Sequence, residues 1–122
     1  MPHRFTRAAE SQIDRILTES ARRHGIDAAD RYSLLIFTTV ARLGDNPNLP
    51  GSIDVPGVRG THAYPVRLSR TRIEPALRVG KPRHLVIYRI TPDAVVEILG
   101  LAHERMVLSR AARRALRNAE RG

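Results

Sequence analysis

One stretch of the C-terminal half constrains the fold more than any other, because four apolar residues follow each other within "RHLVIYRI" (residues 83–90). Residues 85–88 lack the alternation of a half-buried strand, which is typical of a central strand covered on both faces. The turn-forming "TPD" (91–93) and a second apolar run, "AVVEILGLA" (94–102), follow directly. The sequence therefore predicts an antiparallel hairpin of two buried strands.

The N-terminal half predicts two amphipathic helices after a short extended start at residues 3–5. Thr6 is a suitable N-cap for the first helix and Gly25 a suitable end. Asp27 can cap the second helix, which Gly44 closes. Apolar residues recur at helical spacing in both segments, at positions 9, 13, 16, 17 and 21 and at positions 32, 35, 36, 40 and 43. We expect a helical hairpin that lies against one face of the sheet.

The segment between the helices and the final hairpin combines turn residues with one further strand. Residues 45–61 carry three prolines and three glycines, which predicts a long surface connection without core residues. "HAYPVRL" (62–68) is strand-like, and Pro65 favours a strand with one unpaired side. A basic loop then leads from residue 69 to residue 82.

The C-terminal residues predict either an amphipathic basic helix or an arm that is disordered until it binds a partner. Four arginines occur within residues 110–117, interspersed with alanine and leucine. The fold class is therefore α+β, with a helical hairpin on a small antiparallel sheet. We divide the chain into a domain at 1–107 and a basic helical extension at 108–122.

The charge of the chain restricts its partners. The sequence has 21 Lys and Arg against 12 Asp and Glu, a net charge of +9, and Lys81 is the only lysine. Arginine binds phosphates and carboxylates through two parallel hydrogen bonds, so a polyanion or a strongly acidic protein is the expected partner.

Several classes of protein are disfavoured by what the sequence lacks. The chain has no cysteine, which excludes disulfides and thiolate chemistry. Its five histidines show no paired ligand spacing, so we predict no metal site and no cofactor. No apolar run is long enough to span a bilayer, and no signal sequence opens the chain. We expect a cytoplasmic protein without a membrane partner.

A family resemblance emerges from the order of several segments. "FTRAAESQIDRI", "RLGDNP", "AYPVRLSR", "PRHLVIYRI" and "VEILGLAHERM" follow one another as in the RelE/ParE superfamily of bacterial type II toxins. The resemblance covers residues 3–108 and is closest to the ParE branch. It implies a growth-inhibiting toxin that a ParD-like antitoxin neutralises in a hetero-oligomer. ParE members poison DNA gyrase, whereas RelE members cut messenger RNA on the ribosome.

The enzyme alternative requires a proton-transferring group and cations that stabilise a charged phosphorane. If the chain is a ribosome-dependent endoribonuclease, its candidates are His103, Arg105, Arg89 and Arg67. The residues after Arg105 read "MVLSRAARR" and contain no Tyr or His where the nuclease branch often keeps its acid. The three tyrosines, at 32, 64 and 88, fit core packing better than catalysis. Whether the chain is an enzyme stays open here, and we favour a binding mechanism.

The resemblance and the residue patterns suggest two binding surfaces. The predicted target-binding residues are Arg105, Arg110, Arg113, Arg114 and Arg117. The predicted antitoxin-binding residues are Ile13, Leu17, Leu35, Tyr64 and Arg67, near a groove of the helical hairpin and the sheet edge at Pro65. A plain nucleic-acid-binding module without toxicity is the third alternative.

The last strand departs from the family at Gly100. Much of the ParE branch reads Arg-Val/Ile-Leu-His, where this chain has Gly100-Leu101-Ala102-His103. A glycine inside a strand predicts a β-bulge or a close approach of another group to the backbone.

Overall fold

A computed structural model describes residues 2–121 and confirms the α+β class. Five strands form one sheet in the order β1-β5-β4-β3-β2, in which β1 is parallel to β5 and the other neighbours are antiparallel. The elements are β1 (His3–Phe5), α1 (Arg7–His24), α2 (Ile26–Asp45), β2 (Ile53–Asp54), β3 (Thr61–Pro65), β4 (His84–Ile90), β5 (Val96–His103) and α3 (Leu108–Arg121).

The helical hairpin begins and turns largely as its sequence indicates. The Thr6 hydroxyl accepts a hydrogen bond from the Ala9 backbone N–H at 3.1 Å and so caps α1. Gly25 ends α1 with a φ of 93°, a conformation that favours glycine. The prediction of Asp27 as the second N-cap is wrong, because α2 already begins at Ile26 and Asp27 lies in its first turn.

The central strand β4 is covered on both faces, as its unbroken apolar run predicts. Val86 and Tyr88 belong to a core cluster beneath α1 and α2. Leu85 and Ile87 point to the opposite face, into a second cluster formed with α3. The tail is thus a helix that packs on the sheet, with Ala112 fully buried against it.

The connection between α2 and β3 corrects the prediction that residues 45–61 contain no core. Val55 and Val58 are 4% and 8% exposed and pack in the second cluster, under α3. Ile53 and Asp54 form β2, which pairs with Ala63 and His62 of β3. This strand covers part of the free edge expected at β3.

The segment between β3 and β4 also differs from its predicted form. The strand ends at Pro65, and residues 66–72 and 75–77 form 3₁₀ turns. Arg42 of α2 holds this segment by donating hydrogen bonds to the Leu68 carbonyl and the Ser69 hydroxyl. Pro65 is buried and pairs with Leu85 of β4, whereas β2 pairs only with His62 and Ala63, so docking at this sheet edge stays a prediction.

Candidate functional site

A cleft of about 770 Å³ lies at one end of the sheet, between the α1-α2 hairpin and the residues that precede β4. Six cationic side chains and one carboxylate, that of Glu19, line it, so its electrostatic potential favours anions. The cationic residues are Arg15, Arg23, Arg31, Arg78, Lys81 and Arg83.

Tyr32, His84 and His103 stand side by side in the wall of this cleft. The strand register places His84 opposite His103, and their ring centroids are 5.3 Å apart. The Tyr32 hydroxyl hydrogen bonds to His84 Nδ1. Three polar rings from α2, β4 and β5 therefore meet where the hairpin helices cross the end of the sheet.

The protonation states of these rings follow from their surroundings. Burial raises the pKa of Tyr32 to about 12, although hydrogen bonds with the backbone of Arg83 and His84 oppose the shift. Burial lowers the pKa of His84 to about 4, and repulsion by His103 contributes. At neutral pH both rings are thus uncharged, and we assign the Tyr32 hydroxyl as the donor and His84 Nδ1 as the acceptor, which places the hydrogen of His84 on Nε2.

His103 has a similar arrangement at its Nδ1 atom. The backbone N–H of Arg105 donates to His103 Nδ1 at 3.2 Å. A neutral His103 therefore carries its hydrogen on Nε2, as His84 does. With this assignment each imidazole carries an N–H donor at Nε2, a group that can bind a phosphate or carboxylate oxygen.

A charged pair lies beside the cleft, which Arg83 lines. Arg83, which precedes β4, forms an ion pair with Glu104 just after β5. This hydrogen-bonded partner, together with nearby His103 and Arg67, holds the pKa of Glu104 below its ordinary value. Arg67, on the 3₁₀ turn that follows β3, thus acts on Glu104 but does not line the cleft.

The structure separates the four residues proposed for a nuclease. Arg89 lies at the other end of the β4-β5 hairpin, where it is in register with Glu97. Glu97 precedes His103 by six residues on β5. That spacing corresponds to about 20 Å along a strand. The guanidinium of Arg89 donates to Glu97 through Nε at 2.8 Å, and Nη2 lies 2.7 Å from the same carboxylate. The structure brings Arg67, His103 and Arg105 to one end of the sheet without Arg89.

Some of the residues predicted for antitoxin binding are buried and others reach the surface. Ile13, Leu35 and Tyr64 are 3%, 0% and 1% exposed, so the prediction that they contact a partner directly is not compatible with the fold. They form the core beneath the hairpin surface instead. Leu17 is half-buried against the same core, and Arg67 is exposed.

The residues predicted for target binding lie on the surface. Arg105 is exposed in the turn after β5. On α3, Arg110, Arg113, Arg114 and Arg117 are exposed, and Arg113 donates to the Gly57 carbonyl at 3.3 Å.

Tyr32 and His84 were not among the residues selected from the sequence. Tyr32 does pack in the core, as predicted, with 9% exposure, but its hydroxyl also reaches the cleft. The sequence does indicate that His84 lies near His103, because a hairpin hinged at "TPD" places the beginning of β4 beside the end of β5.

Other kinds of site have no support in the described residues. Within residues 2–121, no three His, Asp or Glu side chains are grouped so that they could hold a metal ion. None of the helices described for this chain has the length and apolar character needed to cross a membrane.

Most of the sequence matches a known family. No curated protein matches it significantly. The model of the ParE toxin family, described as the toxin of the parDE type II toxin-antitoxin system, matches residues 3–108 and so ends where α3 begins. Because this match spans most of the chain, the protein belongs to the ParE family of type II toxins.

Proposed function

We propose that the chain inhibits growth by binding DNA gyrase and that a ParD-like antitoxin neutralises it. Family membership supports a toxin with a cognate antitoxin. The exposed basic surface formed by Arg105 and the arginines of α3 is the proposed target contact. The alternative is a ribosome-dependent endoribonuclease of the RelE type.

One observation carries the preference for binding over RNA cleavage, namely the engagement of Arg89 by Glu97. A cation that stabilises a phosphorane must be able to contact the reacting phosphate. Arg89 is already bound by a nearly buried carboxylate, about 20 Å along the strand from His103. His103 also has no basic nitrogen free when neutral, because Nδ1 accepts from Arg105.

The cationic cleft is the proposed docking site for the antitoxin. Its wall contains six Arg and Lys side chains against Glu19, together with apolar contacts from Ile16 and Val79. An acidic, amphipathic segment that is partly disordered when free would complement both properties and fold upon binding. Arg67 lies at the margin of the same region and stays a proposed contact.

Induced expression without the antitoxin tests the target. Extracts are assayed in parallel for gyrase supercoiling and for cleavage of a message that is being translated. We expect loss of supercoiling while the message stays intact. Ribosome-dependent cleavage of the message with normal supercoiling would contradict gyrase binding and support the endoribonuclease alternative.

The docking site is tested by a charge reversal in the cleft. Arg31→Glu should weaken the complex with the coexpressed antitoxin in calorimetry at low salt, because it replaces an attractive charge by a repulsive one. Arg72→Glu is the matched control, since Arg72 is exposed but does not line the cleft. Equal affinities of the two variants would contradict docking in the cleft.

A further inference from the structure

The arginines of α3 form a narrow stripe along one side of the helix. With about 100° per residue, Arg110, Arg114, Arg117 and Arg121 project within an arc of about 60°. With about 1.5 Å rise per residue, the stripe is about 16 Å long. All four side chains belong to exposed residues.

The packing of α3 fixes the direction in which this stripe points. Ala112 and Ala115 are buried against the sheet, and Leu108, Ala111, Leu116 and Ala119 are packed against the same cluster. These apolar positions occupy the side of the helix opposite the arginines. Because the opposite face of α3 packs against the domain, the arginines of the stripe point toward solvent.

Ion pairs do not neutralise the charges of the stripe in the part of the chain that the structure describes. Among residues 2–121, none of the four arginines forms an ion pair. Arg114 also borders a shallow groove between α1 and α3 that Arg15 shares. Because Arg15 lines the cationic cleft as well, positive charge continues from the stripe to the cleft.

The composition of this face distinguishes between classes of partner. A protein interface is organised around apolar or aromatic anchors and is depleted of charge at its centre. The exposed residues of α3 are all charged, and the exposed apolar residues Met106 and Val107 lie outside the helix, in the segment before it. Single-stranded nucleic acids are bound by aromatic rings that stack on bases, and α3 contains no aromatic residue.

We infer that the arginine stripe of α3 is a docking surface for the phosphate backbone of duplex DNA. A stripe of about 16 Å can reach phosphates on both sides of the B-DNA major groove, which is about 12 Å wide. Contacts of this kind are independent of base sequence. The inference refines the proposed function, because gyrase acts on duplex DNA. In a complex with gyrase the stripe would contact the DNA that the enzyme holds and not the enzyme itself, and this contact can be tested with DNA alone.

The test measures the affinity of the purified full-length chain for a labelled DNA duplex two helical turns long, by fluorescence anisotropy at several salt concentrations. Four phosphate contacts predict a log-log salt slope of about −3.6, or a roughly 150-fold loss of affinity between about 50 and 200 mM salt. An RNA duplex, whose major groove is narrow, should bind more weakly.

A double substitution assigns the binding to the stripe. Arg114→Gln with Arg117→Gln should reduce the slope to about −1.8, a loss of roughly 12-fold over the same range. Arg22→Gln with Arg72→Gln is the control, because it removes the same charge from exposed positions outside α3 and the cleft. Circular dichroism confirms that each variant is folded.

Three results would overturn the inference: no binding to DNA at low salt, equal slopes for the stripe and control variants, or tighter binding to duplex RNA. Failure of gyrase inhibition in the extract assay would leave the DNA measurement unaffected. The two proposals can therefore fail separately.

Discussion

The side-chain amide of Gln12 pairs with the backbone of Leu101 as a neighbouring strand would. Gln12 Nε2 donates to the Leu101 carbonyl at 2.7 Å, and Gln12 Oε1 accepts from the Leu101 N–H at 2.8 Å. Strand β1 ends at Phe5, whose partner on β5 is Ile98. Beyond that point α1 lies over this edge of β5, and Gln12 satisfies backbone groups that β1 no longer reaches.

Replacing this amide should destabilise the fold. In Gln12→Ala, the N–H and C=O of the buried Leu101 lose their partners, and we expect the free energy of unfolding to fall by about 2 kcal/mol. Urea denaturation followed by circular dichroism measures the change. Ser11→Ala, at an exposed neighbouring position on α1, is the control and should stay near the wild-type value.

Gly100 is required by the same contact. A Cβ atom at Gly100 would lie 2.7 Å from Gln12 Oε1, so Gly100→Ala must displace the amide from Leu101. We expect a loss of stability similar to that of Gln12→Ala. Because both substitutions remove the same hydrogen bonds, the double variant should lose less than the sum of the two. Additive losses would show that Gly100 serves another purpose.

Gly100 also illustrates how much of the structure can be predicted from the sequence. The glycine predicted a bulge or a close approach, and the structure contains both. The strand register shifts between Ile87, which faces Gly100, and Tyr88, which faces Ile98, so Leu99 is the extra residue. Counting pairs outward from the "TPD" turn without this bulge would place Ala102 opposite His84. The cleft histidines could therefore not be paired from the sequence.

The sequence patterns also predicted only in part which residues are buried. The apolar run of β4 predicted cover on both faces, but the residues that provide it include Val55 and Val58 from a segment rich in proline and glycine. Ile13 and Leu35 belong to apolar stripes at helical spacing. Such a stripe is expected both on a helix face that packs in the core and on a face that binds a partner. The pattern identifies the inner face of a helix without saying what covers it.

The hydrogen-bonded pair of Tyr32 and His84 should control the pH dependence of stability. The pKa of His84 is lowered from 6.5 to about 4, so between these values the unfolded chain binds a proton that the folded protein does not. Stability should therefore decrease as the pH falls from 6.5 to about 4. The variant His84→Asn keeps an acceptor for Tyr32 and should show a flatter profile over this range. Nitrogen NMR of the wild type should find His84 neutral, with its hydrogen on Nε2, at pH 6.

Glu97 should contribute to a second loss of stability at more acidic pH. Burial raises the pKa of Glu97, but hydrogen bonds from Arg89 and Arg4 outweigh it and hold the pKa below its ordinary value of 4.5. The stabilisation is therefore present above pH 4.5 and lost as the pH falls through the lowered pKa. Glu97→Gln should cost roughly 2 kcal/mol at neutral pH and little in acid. Thermal melts at both pH values test this, and an equal cost at both would exclude the ionic contribution.

His103→Ala should leave toxicity largely intact. The ring contributes an N–H donor to the cleft, and Nδ1 is occupied by the Arg105 backbone. Under a binding mechanism no proton passes through His103, so growth arrest after induction and loss of gyrase supercoiling should both persist in this variant. Arg114→Gln with Arg117→Gln should reduce both, because it removes charge from the proposed target surface. Abolition of toxicity by His103→Ala at unchanged expression and folding would instead indicate proton transfer, and hence the endoribonuclease alternative.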